Sequence, residues 1–168
     1  MISGIKNKKY RKGAIGASMD EYERAADEYL SLVESVDEEE YTRIADTRTE
    51  NEDCRSIQTI TTHVIAAGYG YANYIREQFS MASTPVARRL LTHLEVKEEL
   101  IKMLDYTIET LDGKWEMTED EVNKTIINTR WGVTYDIDQL LEHAIVHVLK
   151  HRRQIEKFLL QNFSEVLS

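Results

Sequence analysis

The sequence predicts an all-α protein, a four-helix bundle with long crossover connections. Three observations carry this expectation. Four segments of 18 to 28 residues repeat apolar side chains at steps of three and four, the period of one helix face. One proline and seven glycines in 168 residues leave little material for the tight turns of an all-β fold. Helices of that size are ~27–42 Å long at 1.5 Å per residue, and four amphipathic ones bury their stripes against one another.

The first helix is expected over 19–36, with Met19, Tyr22, Ala26, Tyr29, Leu30, Val33 and Val36 on its stripe and Ser18 and Glu21 as a capping box. The second spans 56–79, with Ile57, Ile60, Val64, Ala67, Tyr71 and Tyr74 facing inward. Gly68 and Gly70 interrupt it, each at a cost of about 1 kcal/mol, so a close contact or a bend is expected there. The third runs over 85–112, with Thr84 as N-cap and Pro85 in the first position, where no amide is needed. Its stripe is Leu90, Leu94, Ile101, Leu104, Ile108 and Leu111, and Gly113 stops it. The fourth, over 136–163, starts at the cap Asp136 and carries Ile137, Leu140, Ala144, Val148, Ile155, Phe158 and Leu159.

The link at 80–84 is short, which makes the second and third helices antiparallel neighbours. The links at 37–55 and 114–135 are long enough to cross the bundle. The second of them holds Trp115, Trp131 and an apolar run at 125–129, and is expected to pack over one end. Residues 18–168 read as a single domain. Residues 1–17 read as a flexible basic arm, because the first twelve hold five basic groups (Lys6, Lys8, Lys9, Arg11, Lys12) and no acid.

Charge and cysteine content narrow the function. The net charge is −9, and beyond the arm 16 basic groups face 30 acidic ones. A body that acidic repels phosphate backbones, so no nucleic-acid partner is expected. No stretch approaches the ~18 apolar residues of a membrane span, and no apolar region follows the N-terminal basic residues, so neither a membrane partner nor a secretory signal is expected. The single cysteine, Cys54, cannot form an internal disulfide, which fits a reducing, cytoplasmic compartment.

The chemistry lies in the histidines. His143, His147 and His151 follow one another at intervals of four on the fourth helix, and residues four apart share a face with Cβ atoms within ~6 Å. His147 and His151 fall inside the apolar stripe, and His63 does the same between Ile60 and Ala67 on the second helix. A lone core histidine is ordinarily satisfied by a backbone carbonyl. Three on two helices, including an i,i+4 pair, point instead to a divalent metal, for which neutral imidazole is a preferred ligand. Rival metal bundles are missing their signatures: no histidine has a Glu three residues before it, and neither His-x-x-x-Glu nor His-Glu-x-x-His occurs. A mononuclear, histidine-rich site remains. His143 drifts ~80° from His151 around the helix, too far for both to hold one ion, so it reads as packing or as a cavity-lining outer partner. His93 and Cys54 read as structural, and Tyr69, Tyr71 and Tyr74 as core or rim, with a lesser role in lining a substrate pocket.

The pairing of Ser56-Ile-Gln-Thr-Ile-Thr-Thr-His63 with His147-x-x-x-His151-x-x-Gln154-Ile155 resembles the DinB/YfiT-like metalloproteins, the damage-inducible four-helix-bundle family rather than the polymerase of the same name. The resemblance covers helix order, a long crossover before the fourth helix and ligand placement. It implies one divalent metal, zinc or nickel most often, on His63, His147 and His151, with water completing the shell. Arg153 stands where the family usually has glycine, and Val146 where it often has asparagine; neither change removes a ligand. The resemblance further implies a metal-dependent thiol S-transferase in detoxification or stress response, like the bacillithiol- and mycothiol-dependent members. A small-molecule substrate or thiol would then be its partner; separately, a homodimer is a candidate assembly. The alternatives are a metal-dependent hydrolase of the same family, and a non-catalytic bundle in which the metal clamps the helices or is absent.

Overall fold

The computed structural model describes residues 9–86 and 89–166, the last five of these by backbone alone. It is an all-α bundle of four long helices: α1 (Gly13–Glu34), α3 (Ile57–Gln78), α4 (Val96–Leu111) and α6 (Ile137–Val166). The short helices α2 (Glu38–Thr42) and α5 (Glu119–Asn123) lie in the long links, together with a two-stranded antiparallel hairpin, β1 (Ile127–Asn128) and β2 (Thr134–Tyr135). The hairpin is the only sheet among the described residues. No helix among them is long and apolar enough to cross a membrane.

In cross-section the helices form the ring α1–α6–α3–α4, so the first and second bundle helices are diagonal. Side-chain pairs give the directions. Ser18 reaches Asp138 and Glu28 pairs with Arg152, so α1 and α6 are parallel. Arg76 bonds Thr110 and Gly68 faces Met103, so α3 and α4 are parallel as well. His63 meets His147 while Tyr71 meets His143, which makes α3 and α6 antiparallel.

The parallel pair α3/α4 corrects the antiparallel arrangement expected from a short link. The chain does not turn at 80–84; it runs back along α3. At the lower end of α3, Asn73 bonds the Thr84 carbonyl at 2.9 Å. Near its start, Thr62 Oγ1 accepts from the Leu91 amide at 3.1 Å and Gln58 donates to the Leu91 carbonyl at 3.0 Å. The crossover therefore lies between the second and third bundle helices, and the two long links cap the ends instead of crossing. The third helix starts at Val96, after a one-turn 3₁₀ segment (His93–Glu95), rather than at Pro85. The Thr84 amide is taken by Tyr106 and Asn73, while Glu95 accepts from the Thr92 amide at 2.9 Å, closer to the true start. Leu90 and Leu94, assigned to its stripe, are 58% and 92% exposed; Leu91, Val96, Leu100 and Met103 are buried instead.

The first helix also starts earlier than 19, at Gly13, so residues 13–17 belong to the bundle and not to the arm. Ser18 is no cap, because its hydroxyl donates across to Asp138. Arg11 fixes the start: its amide and guanidinium both reach the buried Asp20, and the guanidinium also reaches Glu23. Gly13 has φ +72°, and a Cβ there would lie 2.0 Å from the Trp115 carbonyl oxygen, so only glycine fits. Lys6 and Lys8 of the arm lie outside the described residues.

The other two helices start where expected. Ser56 and Thr59 cap α3 reciprocally, and Asp136 accepts from the Gln139 amide at 2.8 Å at the head of α6. The 114–135 link packs as anticipated, burying Val122, Ile127 and Thr125, whose hydroxyl accepts from the Ile137 amide at 2.8 Å.

Candidate metal centre

Two elements bring three histidines together. His63 sits in the second turn of α3, and His147 and His151 lie one turn apart on the α6 face packed against it. One ring nitrogen from each lies within 4.8 Å of the others. His63 Nε2 and His147 Nε2 are 3.0 Å apart, and the His151 ring centre is 4.5 Å from that of His147 and 5.1 Å from that of His63.

The outer nitrogens explain why the inner ones converge. His63 Nδ1 is 3.2 Å from Asp53 Oδ2, and His151 Nδ1 is 3.1 Å from Gln154 Oε1. An oxygen that only accepts holds the proton on Nδ1 and leaves the Nε2 lone pair facing inward, the arrangement that orients metal-binding imidazoles. His147 Nδ1 is buried without a hydrogen-bond partner. Burial first, then the neighbouring His151 and His63, push the His147 pKa down to about 3. The pKa of His151 is lowered by the same causes, burial foremost. Both rings are therefore neutral at pH 7 and carry free lone pairs.

This donor set fits a divalent ion. Two nitrogens sharing a tetrahedral Zn²⁺ at 2.0–2.1 Å lie about 3.3 Å apart, close to the 3.0 Å found between His63 and His147. Three neutral imidazoles suit Zn²⁺, Ni²⁺ or Fe²⁺ alike, so the set does not choose among them.

His143 is not in the cluster. Its ring stacks on Trp131 at 5.6 Å, and its Nδ1 lies 3.2 Å from the Tyr135 hydroxyl. With His63 and His147 it borders a cavity of about 570 Å³ that also touches Tyr71, Tyr74 and Trp131. Tyr69 packs by Tyr106 beside a separate, smaller cavity. His93 donates from Nε2 to the Val33 carbonyl at 2.8 Å, a tie between α1 and the start of α4. Cys54 is half-buried, and its Sγ accepts from the Asn51 side-chain Nδ2 at 3.4 Å.

Sequence reasoning missed Asp53. It reaches His63 from a single 3₁₀ turn (Glu52–Cys54) in an irregular link, where no periodicity reports which way a side chain points. Gln154 did carry a signal, since it follows His151 by three residues on one helix.

Neither the curated proteins nor the solved structures include a match to this chain. A family model described as the DinB superfamily matches residues 21–155, most of the chain, and that span contains the bundle from α1 to the histidine pair of α6. On that match, with a second-helix histidine facing a His-x-x-x-His pair on the fourth, the chain belongs to the DinB superfamily.

Proposed function

We propose that the protein is a metal-dependent thiol S-transferase acting in the cytoplasm on a small electrophile. One observation carries the reading: two of the three clustered histidines, His63 and His147, form part of the wall of the 570 Å³ cavity. Three protein donors, two of them in the wall of a chamber, leave room for an exogenous ligand, whereas a structural site is usually closed by a fourth protein donor. A divalent ion held by His63, His147 and His151 would supply a positive charge that lowers the pKa of a nearby thiol. The S–H proton would pass to water, the thiolate sulfur would use its electron pair to form a bond to the electrophilic carbon, and the leaving group would depart with the electron pair of its broken bond.

The chain's own residues do the rest. Asp53 and Gln154 keep His63 and His151 in the metal-binding orientation, and the aromatic wall of the cavity displaces water from around the reacting pair. The test combines metal analysis of the purified protein with a bimane or chlorodinitrobenzene conjugation assay over a panel of low-molecular-weight thiols. Stoichiometric metal and conjugation that disappears in His147→Ala support the reading. Ester hydrolysis without thiol assigns a hydrolase instead. Bound metal with neither activity leaves a helix clamp.

A further inference from the structure

Two glycines interrupt α3, and packing explains one of them. A Cβ on Gly68 would lie 2.4 Å from Met103 Sδ, so α4 fills that notch. A Cβ on Gly70 would meet nothing within 4 Å. A glycine in a helix interior sacrifices helix propensity, and at Gly70 no protein atom repays it. Gly70 borders the cavity beside the histidine cluster, with Ala66 and Ala67 preceding it on the same floor. It lies seven residues along α3 from His63, ~10 Å at 1.5 Å per residue. A stretch of cavity floor one ring system long thus carries nothing larger than a methyl group.

The aromatic wall of the same cavity has the complementary character. Trp131 meets the rings of Tyr71 and Tyr74 edge-on, both at 86°, and stacks on His143 at 20°. Those contacts fix the indole, yet 41% of the residue stays exposed, and it lines the cavity. A braced aromatic face costs little further ordering when a flat ligand covers it. Arg130 and Glu77 also border the cavity, one charge of each sign, so the wall favours neither anion nor cation.

We infer that this part of the cavity binds an uncharged, flat aromatic ring system, the body of the electrophilic substrate, laid over the Gly70 floor against Trp131. The ring's reactive end then points along α3 toward His63 and His147. The inference rests on the transferase reading for what the ring is attached to, and on the cavity alone for where it sits.

The test uses the full chain loaded with Zn²⁺, in a Trp115→Phe background that leaves Trp131 as the one indole. The probe is N-phenyl-1-naphthylamine, neutral and flat, read by energy transfer from Trp131. Saturable transfer is expected in this background. Gly70→Leu should weaken it by about tenfold or more while metal stoichiometry stays at the parent value and the melting temperature does not fall. Gly70→Ala covers the case in which leucine disturbs folding: its melting temperature should rise and its probe affinity drop by a smaller factor. No saturable transfer in the parent, equal probe affinity in Gly70→Leu and parent, or a fall in melting temperature for Gly70→Ala would each overturn the ring site. Ring binding lost in Gly70→Leu, without thiol conjugation by the wild type, leaves the ring site standing and removes the transferase. Conjugation with unchanged ring affinity in Gly70→Leu does the reverse.

Discussion

His63, His147 and His151 each bring one ring nitrogen to the cluster, and their substitution should show it. Alanine at any of the three removes one of three donors, so tight metal binding should be lost in each, as read by metal analysis after dialysis. His143→Ala and His93→Ala should retain the metal, since one stacks on Trp131 and the other bonds the Val33 carbonyl. Loss of metal in His143→Ala with retention in His151→Ala would mean the helical register of the site is one turn off. Asp53→Ala leaves all three donors and removes only the carboxylate on His63 Nδ1. It should weaken metal affinity by ~10–100-fold, the usual effect of losing such a partner, measurable by competition with a chelator.

Among the elements, α3 carries two opposite predictions two residues apart, ~3 Å along the axis and on roughly opposite faces of the helix. Gly68→Val forces a side chain into Met103 and should cost about 1–3 kcal/mol in chemical denaturation. Gly70→Ala meets no atom and should stabilise by about 1 kcal/mol through helix propensity. Equal effects at the two positions would refute the distinction between a filled and an open notch. At the head of α6, Asp136 accepts from the Gln139 amide, so Asp136→Ala should cost about 1 kcal/mol. That loss should appear without any change in metal content, because the cap lies almost three turns before His147.

At the scale of the whole molecule, metal and pH are linked. The folded state holds the three donors together and the unfolded chain does not, so bound Zn²⁺ or Ni²⁺ should raise the melting temperature. The His147 pKa is pushed down to about 3, and that of His151 is lowered too, while unfolded histidines titrate near 6.5. The unfolded state then binds more protons than the folded one in this range. Stability is therefore present above about pH 6.5 and is lost as pH falls from there toward the folded pKa values. Protons also compete with the metal for neutral imidazole, so the holo protein should lose stability faster than the apo protein. The gap in melting temperature between them should narrow from about pH 7.5 to about pH 5. A constant gap across that interval would count against a three-histidine site.

The helical class, the starts of α3 and α6 and the His147–His151 pair were all legible in the sequence, because each depends on neighbours within one or two turns. Ser56 and Asp136 cap their own helices, and His147 and His151 share a face through the 3.6-residue period. His63, 84 residues from His147, was grouped with them by its place in the apolar stripe of its own helix and by the resemblance, while its contact with His147 is set by packing. The missed features depend on contacts distant in sequence. Thr84-Pro85 has the composition of a helix start, yet Asn73, Thr62 and Gln58 hold the chain extended along α3, so α4 begins at Val96 and runs parallel to α3. Ser18 has the composition of a cap, but Arg11 and Asp20 start α1 at Gly13. Asp53 reached His63 from an irregular link, and Gly68 and Gly70 read alike until Met103 was placed beside one and a cavity beside the other. Local hydrogen bonding and periodicity follow from the order of residues, whereas the side chains that occupy a given space follow from how the helices pack.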